Sequence, residues 1–557
     1  MSHKERRTAR GARPLSLLLL ATLALLVSSC DSRRSAEGVG SGPPASANSG
    51  SATLEAQPAP GQVAHGNYDA EMLPGGRDAA GGERYAEIDE NPFLDAARAP
   101  LSTFSVDVDT ASYSNTRRFL TEGRLPPRDA VRIEELVNYF TYEYPQPDSS
   151  APFSVTAEVA ECPWDVRHKL VHIGLQGRKV SAEDLPPANL VFLVDVSGSM
   201  GDPDKLPLVK SSLRTLADQL RPRDRVAVVT YAGTTEVALP STTGDRRGEI
   251  VSAVERLQPG GATAGASGIQ LAYRVAEENF IRGGTNRVIL ATDGDFNVGV
   301  TSDTELVSLI EKKREGGVSL SVLGFGRGNY NESMMEKLAD KGNGNFAYID
   351  TQDEAEKALG EQVAGTLATI AKDVKIQVEF NPRLVAGYRL IGYENRLLAD
   401  RDFNDDRKDA GEIGAGHSVT ALYEVVPAGQ KIENPGVDEL KYGRPAEPTQ
   451  GAGANELLTV KLRYKEPDGD ASKPLNVGVL DREASFRNAS ENFKFAAAVA
   501  QFGLLLRDSR YKGQSSFDGA AELARASAGA DLRGYRSEFV RLVETARTLS
   551  ARERASR

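Results

Sequence analysis

The sequence predicts a multidomain α/β plus β-sandwich protein. In it, a doubly wound parallel α/β domain is inserted between strands of a β-sandwich, with helical N- and C-terminal regions. Between 188 and 371, apolar strand runs alternate with amphipathic helices, the pattern of a parallel sheet covered on both faces. Strands of alternating polarity precede and follow this stretch, and the preceding ones need partners. Helical spacing predominates from 476 onwards.

The length of the chain, 557 residues, exceeds what a single hydrophobic core holds, so we expect several domains. We divide it into a lipoprotein signal peptide (1–29), a disordered tether (30–90), an N-terminal flanking domain (91–150), the first part of the β-sandwich (151–187), the α/β domain (188–371), the second part of the β-sandwich (372–475) and a C-terminal helical region (476–557).

The first 29 residues are organised like an export signal. The basic stretch MSHKERRTARGARP precedes the apolar run LSLLLLATLALLV, which is too short to span a bilayer. The run ends in VSSC, which resembles a bacterial lipobox and implies that Cys30 becomes the lipidated first residue of a membrane lipoprotein. An ordinary export signal with an incidental cysteine is the alternative. Asp31 resembles a retention signal of enterobacterial lipoproteins, which favours the periplasmic face of the inner membrane over the outer membrane.

Composition limits the function classes. The formal net charge is −11, whereas a protein that binds nucleic acid normally has a basic face. Residues 31–90 are rich in Ser, Gly, Ala and Pro, which predicts a tether that buries almost nothing. If Cys30 carries a lipid, Cys162 has no partner for an intrachain disulfide, and we expect it to be a small buried apolar residue. The run FAAAVAQFGLLL at 495–506 predicts a packed core helix.

The elements of the α/β domain follow from their patterns. The predicted strands are LVFLVDVS, RVAVVTYAG, RVILATDG, SLSVLGFG and NFAYID. The predicted helices are LPLVKSSLRTLADQL, GEIVSAVERL, SGIQLAYRVAEENF, TELVSLIEKKREGG and SMMEKLADKG. Outside the domain, FSVTAEVAE and KLVHIGLQG are expected to pair with KDVKIQVEF, SVTALYEVV and LLTVKLRYK, because the two earlier strands have no partners of their own.

Oxygen-bearing side chains follow the carboxyl ends of the predicted strands. Asp195, Ser197 and Ser199 leave the first strand. Thr263 lies in a Gly-rich loop that opens a helix, and Asp293 ends RVILATDG. Doubly wound domains have their sites at this edge. An all-oxygen set with water in the remaining positions suits Mg²⁺, or Mn²⁺. The alternative is that the two aspartates merely cap neighbouring helices.

The pattern D-x-S-x-S, followed by a downstream Thr and then Asp, is similar to the metal-ion-dependent adhesion site of von Willebrand factor type A (vWA) domains. The resemblance covers 188–371. It implies that the two serines bind a cation directly and the two aspartates bind directly or through water, leaving a position for a partner's carboxylate. The flanking stretches FSVDVDTASYSNTRRFL and DFNDDRKDAGEIGAGHSVTALYE resemble a bacterial family of envelope lipoproteins.

The resemblance implies a lipid-anchored envelope protein that binds an acidic residue of a protein partner, in the manner of adhesion. A metal-dependent hydrolase or phosphohydrolase, or an envelope scaffold, are the alternatives. Residues 188–371 contain no histidine to act as a general base, which argues against an enzyme.

Two further motifs have structural interpretations: DVDTASYS at 107–114 predicts a helix cap, and DFNDDRKDAGE at 402–412 predicts a solvated loop without calcium.

Overall fold

The computed structural model describes residues 77–78, 82–106, 109–148, 150–261, 265–294, 303–328, 330–361, 365, 368–432, 455–467 and 469–556. All of these lie within one compact unit, Gly66–Arg557. The predicted signal peptide, Cys30 and most of the predicted tether lie outside the described residues.

The described strands and helices are numbered here in chain order. The strands are β1 Arg77–Asp78, β2 Arg84–Tyr85, β3 Leu94–Asp95, β4 Leu101–Ser105, β5 Phe153–Cys162, β6 Asp165–Gly177, β7 Ala188–Asp195, β8 Arg225–Tyr231, β9 Thr235–Thr243, β10 Thr285–Thr292, β11 Ser319–Phe325, β12 Phe346–Ile349, β13 Thr369–Phe380, β14 Val385–Ile391, β15 Gly411–Gly414, β16 Ser418–Pro427, β17 Glu456–Lys465 and β18 Lys473–Leu480. The helices are α1 Ala111–Thr121, α2 Ile133–Asn138, α3 Leu206–Ala217, α4 Arg247–Glu255, α5 Gly265–Glu278, α6 Asp303–Glu315, α7 Glu332–Lys341, α8 Gln352–Glu356, α9 Glu491–Leu506, α10 Phe517–Ala526 and α11 Tyr535–Ser556.

A six-stranded sheet in the order β12-β11-β10-β7-β8-β9 forms the α/β domain. Its strands are parallel except β9, which pairs antiparallel with β8. All eight residues of β7 are buried, as expected for a central strand covered on both faces. The strand order reverses between β7 and β10, and this is the switch point at which doubly wound folds place ligands.

Two hydrophobic cores cover the two faces of this sheet. One contains side chains of α3, α4 and α8, and the other contains side chains of α5, α6 and α7. The predicted parallel, doubly wound arrangement is therefore confirmed for five strands. The antiparallel edge strand β9 was not predicted, because its sequence TEVALPSTT buries only two residues and has no apolar run.

The β-sandwich consists of two antiparallel sheets of five strands each. One has the order β3-β14-β16-β6-β5; in the other, β15-β13-β17-β18 is joined by β4, which pairs with β13. As predicted, the strands before the α/β domain pair with strands after it, since Val171 of β6 lies opposite Tyr423 of β16. The two sheets share one core that includes residues from both sides of the insertion.

Three predicted segments differ from the structure. The predicted tether does not extend to residue 90, because Tyr85 and Ile88 are buried. The backbone N–H of Arg84 also donates to the Tyr330 carbonyl at 3.0 Å. The flanking region 91–150 is not a separate helical unit, since β3 and β4 belong to the sandwich sheets. Similarly, β18 extends the sandwich into the segment predicted to be helical.

Helix α1 completes the covering of the α/β sheet although it precedes the domain in sequence. Ala111 and Phe119 of α1 belong to the same core as Phe346 and Tyr348 of β12. Residues that precede the α/β domain in sequence thus supply one of the helices that cover its sheet.

A buried group of polar side chains joins α1 to both neighbouring regions, and we call it the Arg117 cluster: Arg117, Tyr139, Asp350, Glu354 and Glu538. The Arg117 guanidinium donates to Asp350 at 2.8 Å, to Glu354 at 2.8 Å and to Glu538 at 3.0 Å. The Tyr139 hydroxyl donates to Glu354 at 2.8 Å. The cluster therefore connects α1, the α/β domain and the C-terminal helix α11.

The C-terminal helices pack against α2. Helix α9 begins after Ser490, whose hydroxyl accepts a hydrogen bond from the Phe493 N–H, and eleven of its sixteen residues are buried. This confirms the prediction of a packed core helix. Among the described residues, no helix has the length and apolar character needed to cross a bilayer.

Candidate metal centre

The loop after β7 gathers three of the predicted oxygen ligands. Asp195 and Ser197 are buried, and Ser199 is half-buried. The Ser197 backbone N–H donates to Asp195 Oδ1 at 2.8 Å. The hydroxyl oxygens of Ser197 and Ser199 are 3.0 Å apart. The spacing of the D-x-S-x-S motif therefore brings one carboxylate and two hydroxyls together at the carboxyl end of the central strand.

A second loop is fixed against the first by backbone hydrogen bonds. The Gly198 N–H donates to the Gly261 carbonyl at 3.1 Å, and the Gly260 N–H donates to the Val196 carbonyl at 2.7 Å. Gly261 has a φ of +84°, and a Cβ there would lie 2.8 Å from the Gly233 nitrogen, so this position requires glycine. Thr263 itself lies outside the described residues. The loop that carries it nevertheless begins beside Gly198.

Asp293 follows β10, the neighbour of β7 on the other side of the switch point. The register pairs Ala291 with Val194, so Asp293 and Asp195 leave adjacent strand ends. Both aspartates have no exposed surface. Burial raises the pKa of Asp195 to about 6; hydrogen bonds from Ser197 oppose this effect and the charge of Asp293 adds to it. Two buried carboxylates therefore share the edge at which a cation would bind.

Two further side chains at this edge were not predicted from the sequence. The Lys205 ammonium donates to Asp293 Oδ2 at 3.0 Å, and only 5% of the residue is exposed. The Tyr231 side chain lies near Asp195; burial, and then the charge of that aspartate, raise the pKa of Tyr231 well above its usual value, so the hydroxyl stays protonated. The only sequence signal for Lys205 is a cation in an otherwise Gly-, Asp- and Pro-rich loop after the motif.

The residues at this edge fit a hard divalent cation. Asp195 Oδ2 is buried and accepts no hydrogen bond of good geometry within the described parts of the chain, although the Tyr231 hydroxyl interacts with this carboxylate. An acceptor in that state costs free energy that a bound cation would offset. The described residues hold no group of three or more His, Cys, Asp or Glu suited to a metal. Because the predicted set has only two carboxylates, hydroxyls and water would complete the coordination.

The structure gives other roles to two sequence motifs. The prediction that DVDTASYS caps a helix is wrong for Asp109: it accepts a hydrogen bond from the Phe346 N–H at 2.8 Å, and the N-cap of α1 is Thr110. Asp107 lies outside the described residues. In the acidic loop 402–412, Asp405 pairs with Arg407 at 3.0 Å. These carboxylates serve contacts within the protein.

Cys162 is buried, as predicted, and burial raises the pKa of its thiol well above the usual value. A protonated and inaccessible thiol is a poor nucleophile. The structure therefore supports a packing role for this cysteine.

Most of the chain matches known families. Residues 189–362 match the von Willebrand factor type A domain, 79–172 match the von Willebrand factor family, and 365–549 match the C-terminal region of the uncharacterized protein YfbK. The chain is 44% identical over 473 residues to YfbK of Escherichia coli (strain K12). The aligned region covers 84% of this chain and 81% of the relative. The chain belongs to the YfbK family. The resemblance to vWA domains is thereby confirmed, and the α/β domain of this YfbK family member has the vWA fold.

More distant similarities involve one further curated protein and two solved structures. The chain is 26% identical to human inter-alpha-trypsin inhibitor heavy chain H3 over 260 residues, which are 43% of this chain and 28% of that protein. The solved structure of von Willebrand factor type A from Catenulispora acidiphila is 17% identical, with a TM-score of 0.39, covering 70% of this chain and 90% of that one. BatB from Bacteroides thetaiotaomicron is 24% identical, with a TM-score of 0.28, covering 32% of this chain and 97% of that one.

Proposed function

We propose that this YfbK family member binds a protein partner through a divalent cation, Mg²⁺ or Mn²⁺, at the edge of its vWA domain. The proposed ligands are Asp195, Ser197, Ser199, Thr263 and Asp293. One observation carries the proposal: the buried Asp195 carboxylate lies at the switch point, in the same loop as two serine hydroxyls whose oxygens are 3.0 Å apart. The vWA family itself is consistent with a role in protein interactions.

The donor set determines which ligand this site would select. Two carboxylates balance the formal charge of a divalent cation, and the remaining protein ligands are neutral hydroxyls, which are weaker donors. A bound cation would therefore supply Lewis acidity at a position that the protein does not fill. A carboxylate from an acidic residue of the partner is the hard, anionic oxygen ligand that best occupies it.

Binding without catalysis is the activity that this set supports. Hydrolysis at a metal needs a general base or nucleophile beside it. The sequence of the domain, 188–371, contains no histidine, and Asp195 and Asp293 are already assigned as ligands. We therefore propose that the protein is not an enzyme. A metal-dependent hydrolase and an envelope scaffold are both less favoured than the binding function.

The test of this function is a metal-dependent capture experiment. The full chain, tethered through its C-terminus, is incubated with solubilised envelope proteins in Mg²⁺ or in EDTA. We expect a partner to be retained in Mg²⁺ and released by EDTA. Bait carrying Asp195→Ala should retain nothing above background in either buffer. Equal recovery of the partner with EDTA or with the variant would contradict a metal-bridged contact.

We propose further that Cys30 anchors the protein to the bacterial cell envelope, at the periplasmic face of the inner membrane rather than at the outer membrane. The support is the lipobox-like VSSC and the Asp at position 31. The tether would hold the folded domains away from the membrane surface.

The expected result for Cys30→Ser is the loss of lipid attachment, because serine offers no thiol for acylation. Cells grown with a labelled fatty acid should label the wild type and a Cys162→Ala control, but not Cys30→Ser. Detergent phase partitioning should move the unlabelled variant from the detergent phase towards the aqueous phase. A labelled Cys30→Ser protein would exclude this cysteine as the anchor.

A further inference from the structure

Lys205 and Asp293 form a buried ion pair inside the candidate metal centre. The Lys205 Nζ lies 3.0 Å from Asp293 Oδ2, and neither side chain has more than a small exposed fraction. A buried lysine is costly unless it is paired, so this contact is a fixed part of the fold. The ammonium therefore lies against one of the two carboxylates proposed to bind the cation.

The surrounding residues hold the lysine side chain in this position. Gly326, in the loop after β11, has a φ of +71°, and a Cβ there would lie 2.4 Å from Lys205 Cε. The Gly326 carbonyl accepts a hydrogen bond from the Tyr348 hydroxyl at 2.7 Å, which fixes the loop. At the other end, the Lys205 N–H donates to the Asp202 carbonyl at 3.0 Å. The glycine thus leaves room for the aliphatic chain of Lys205 at the base of the site.

We propose that Lys205 is a built-in counter-cation that sets the affinity and the charge of the metal centre. Without metal, it balances Asp293. When a divalent cation binds, Lys205 opposes it by charge repulsion and by competition for Asp293. Among the buried groups, the loaded site then carries one net positive charge, from a divalent cation and one lysine against two aspartates. The Asp202 carboxylate lies 3.9 Å from the Lys205 ammonium, but its exposure to solvent screens this charge. A partner's carboxylate neutralises the net positive charge of the loaded site.

This inference rests on the proposed function and adds a coupling between its two ligands. Because the carboxylate relieves the repulsion between Lys205 and the cation, carboxylate binding should raise metal affinity, and metal should raise carboxylate affinity by the same factor. Lys205 would thereby keep the site weakly loaded until an acidic partner arrives. A site with two aspartates and no lysine would bind metal more tightly and carboxylates less.

The decisive experiment measures Mg²⁺ and Mn²⁺ binding to the full chain by calorimetry, with and without acetate as the carboxylate probe. Lys205→Met keeps an unbranched side chain over Gly326 but removes the charge. We expect this variant to bind metal at least about tenfold more tightly than the wild type. Acetate should increase the metal affinity of the wild type and have a smaller effect on the variant.

Two further variants make the result specific. Lys210→Met removes a charge from α3, the helix that begins directly after Lys205, but the Lys210 ammonium donates to the Glu255 carbonyl, so we expect affinity within about twofold of the wild type. Lys205→Gln is a second uncharged variant whose amide still donates to Asp293, and it should also bind metal more tightly.

Thermal melts provide an independent readout, since Mg²⁺ should raise the melting temperature of both Lys205 variants more than that of the wild type.

The outcomes separate the two proposals. If the wild type binds metal and both Lys205 variants bind equally or more weakly, the counter-cation inference is overturned and the metal site stands. If neither the wild type nor any variant binds Mg²⁺ or Mn²⁺, the proposed function fails, and this inference fails with it.

Discussion

Replacing Asp195 with alanine is expected to weaken Mg²⁺ binding by roughly a hundredfold or more, equivalent to about 3 kcal/mol. The variant loses a buried anionic ligand, and the cation then keeps only one carboxylate of the proposed set. The fold should survive, because β7 is held by buried apolar neighbours. Calorimetry measures the affinity, and thermal melts should show stabilisation by Mg²⁺ in the wild type only.

Asp245→Ala is the matched control for this experiment. Asp245 belongs to the same domain but is exposed, and it follows the antiparallel strand β9, so it lies at the opposite edge of the sheet from the proposed ligands. Its replacement should change Mg²⁺ affinity by less than about threefold. Ser197→Ala should fall between the two, because it removes a neutral ligand. Equal affinities of the wild type and Asp195→Ala would place any metal site elsewhere in the chain.

Replacing Arg117 with methionine should lower the free energy of unfolding by about 3–5 kcal/mol. The methionine fills a similar volume but leaves Asp350 and Glu354 buried without the guanidinium that pairs with both. The effect should extend beyond α1, because the Arg117 cluster also includes Glu538 of the C-terminal helix. Urea unfolding followed by circular dichroism provides the measurement.

Arg401→Met is the matched control, since this side chain is 84% exposed and its nearest carboxylate is 3.8 Å away. We expect it to change the free energy of unfolding by less than about 0.5 kcal/mol. The double variant Arg117→Met/Asp350→Asn should recover part of the lost stability, because it also removes a buried carboxylate that has lost its counter-ion. Similar stabilities of the Arg117 and Arg401 variants would show that the cluster contributes no more than a surface ion pair.

The parts of the fold that the sequence predicted correctly are those with strong, continuous patterns. Strand β7 was predicted because its apolar residues form an unbroken run, which a strand buried on both faces requires. The short strand β4 and the edge strands β9 and β18 were not predicted. In β18, Leu475, Val477 and Val479 alternate with exposed residues, but Pro474 and Gly478 lie in the same short run, and both residue types are rare in strands.

The same distinction applies to the candidate site. Asp195, Ser197 and Ser199 could be predicted together because the motif that relates them is local. Lys205 could not, since its contact with Asp293 spans 88 positions and depends on the neighbouring order of β7 and β10. The Arg117 cluster is more distant still, because Arg117 and Glu538 are 421 residues apart. Contacts of this kind follow from the packing of whole elements and leave no short pattern in the sequence.

The insertion of the vWA domain into the sandwich separates sandwich strands from their partners along the chain. The ribosome makes β5 and β6 early, but the partner of β6 on its other edge, β16, appears only after the whole inserted domain. Until then, β6 has an open edge, which is the kind of surface that pairs with other chains. The six strands of the inserted sheet, by contrast, are complete by residue 349. We therefore expect closure of the sandwich around the inserted domain to be a late step, and newly made chains to be most prone to aggregate before it.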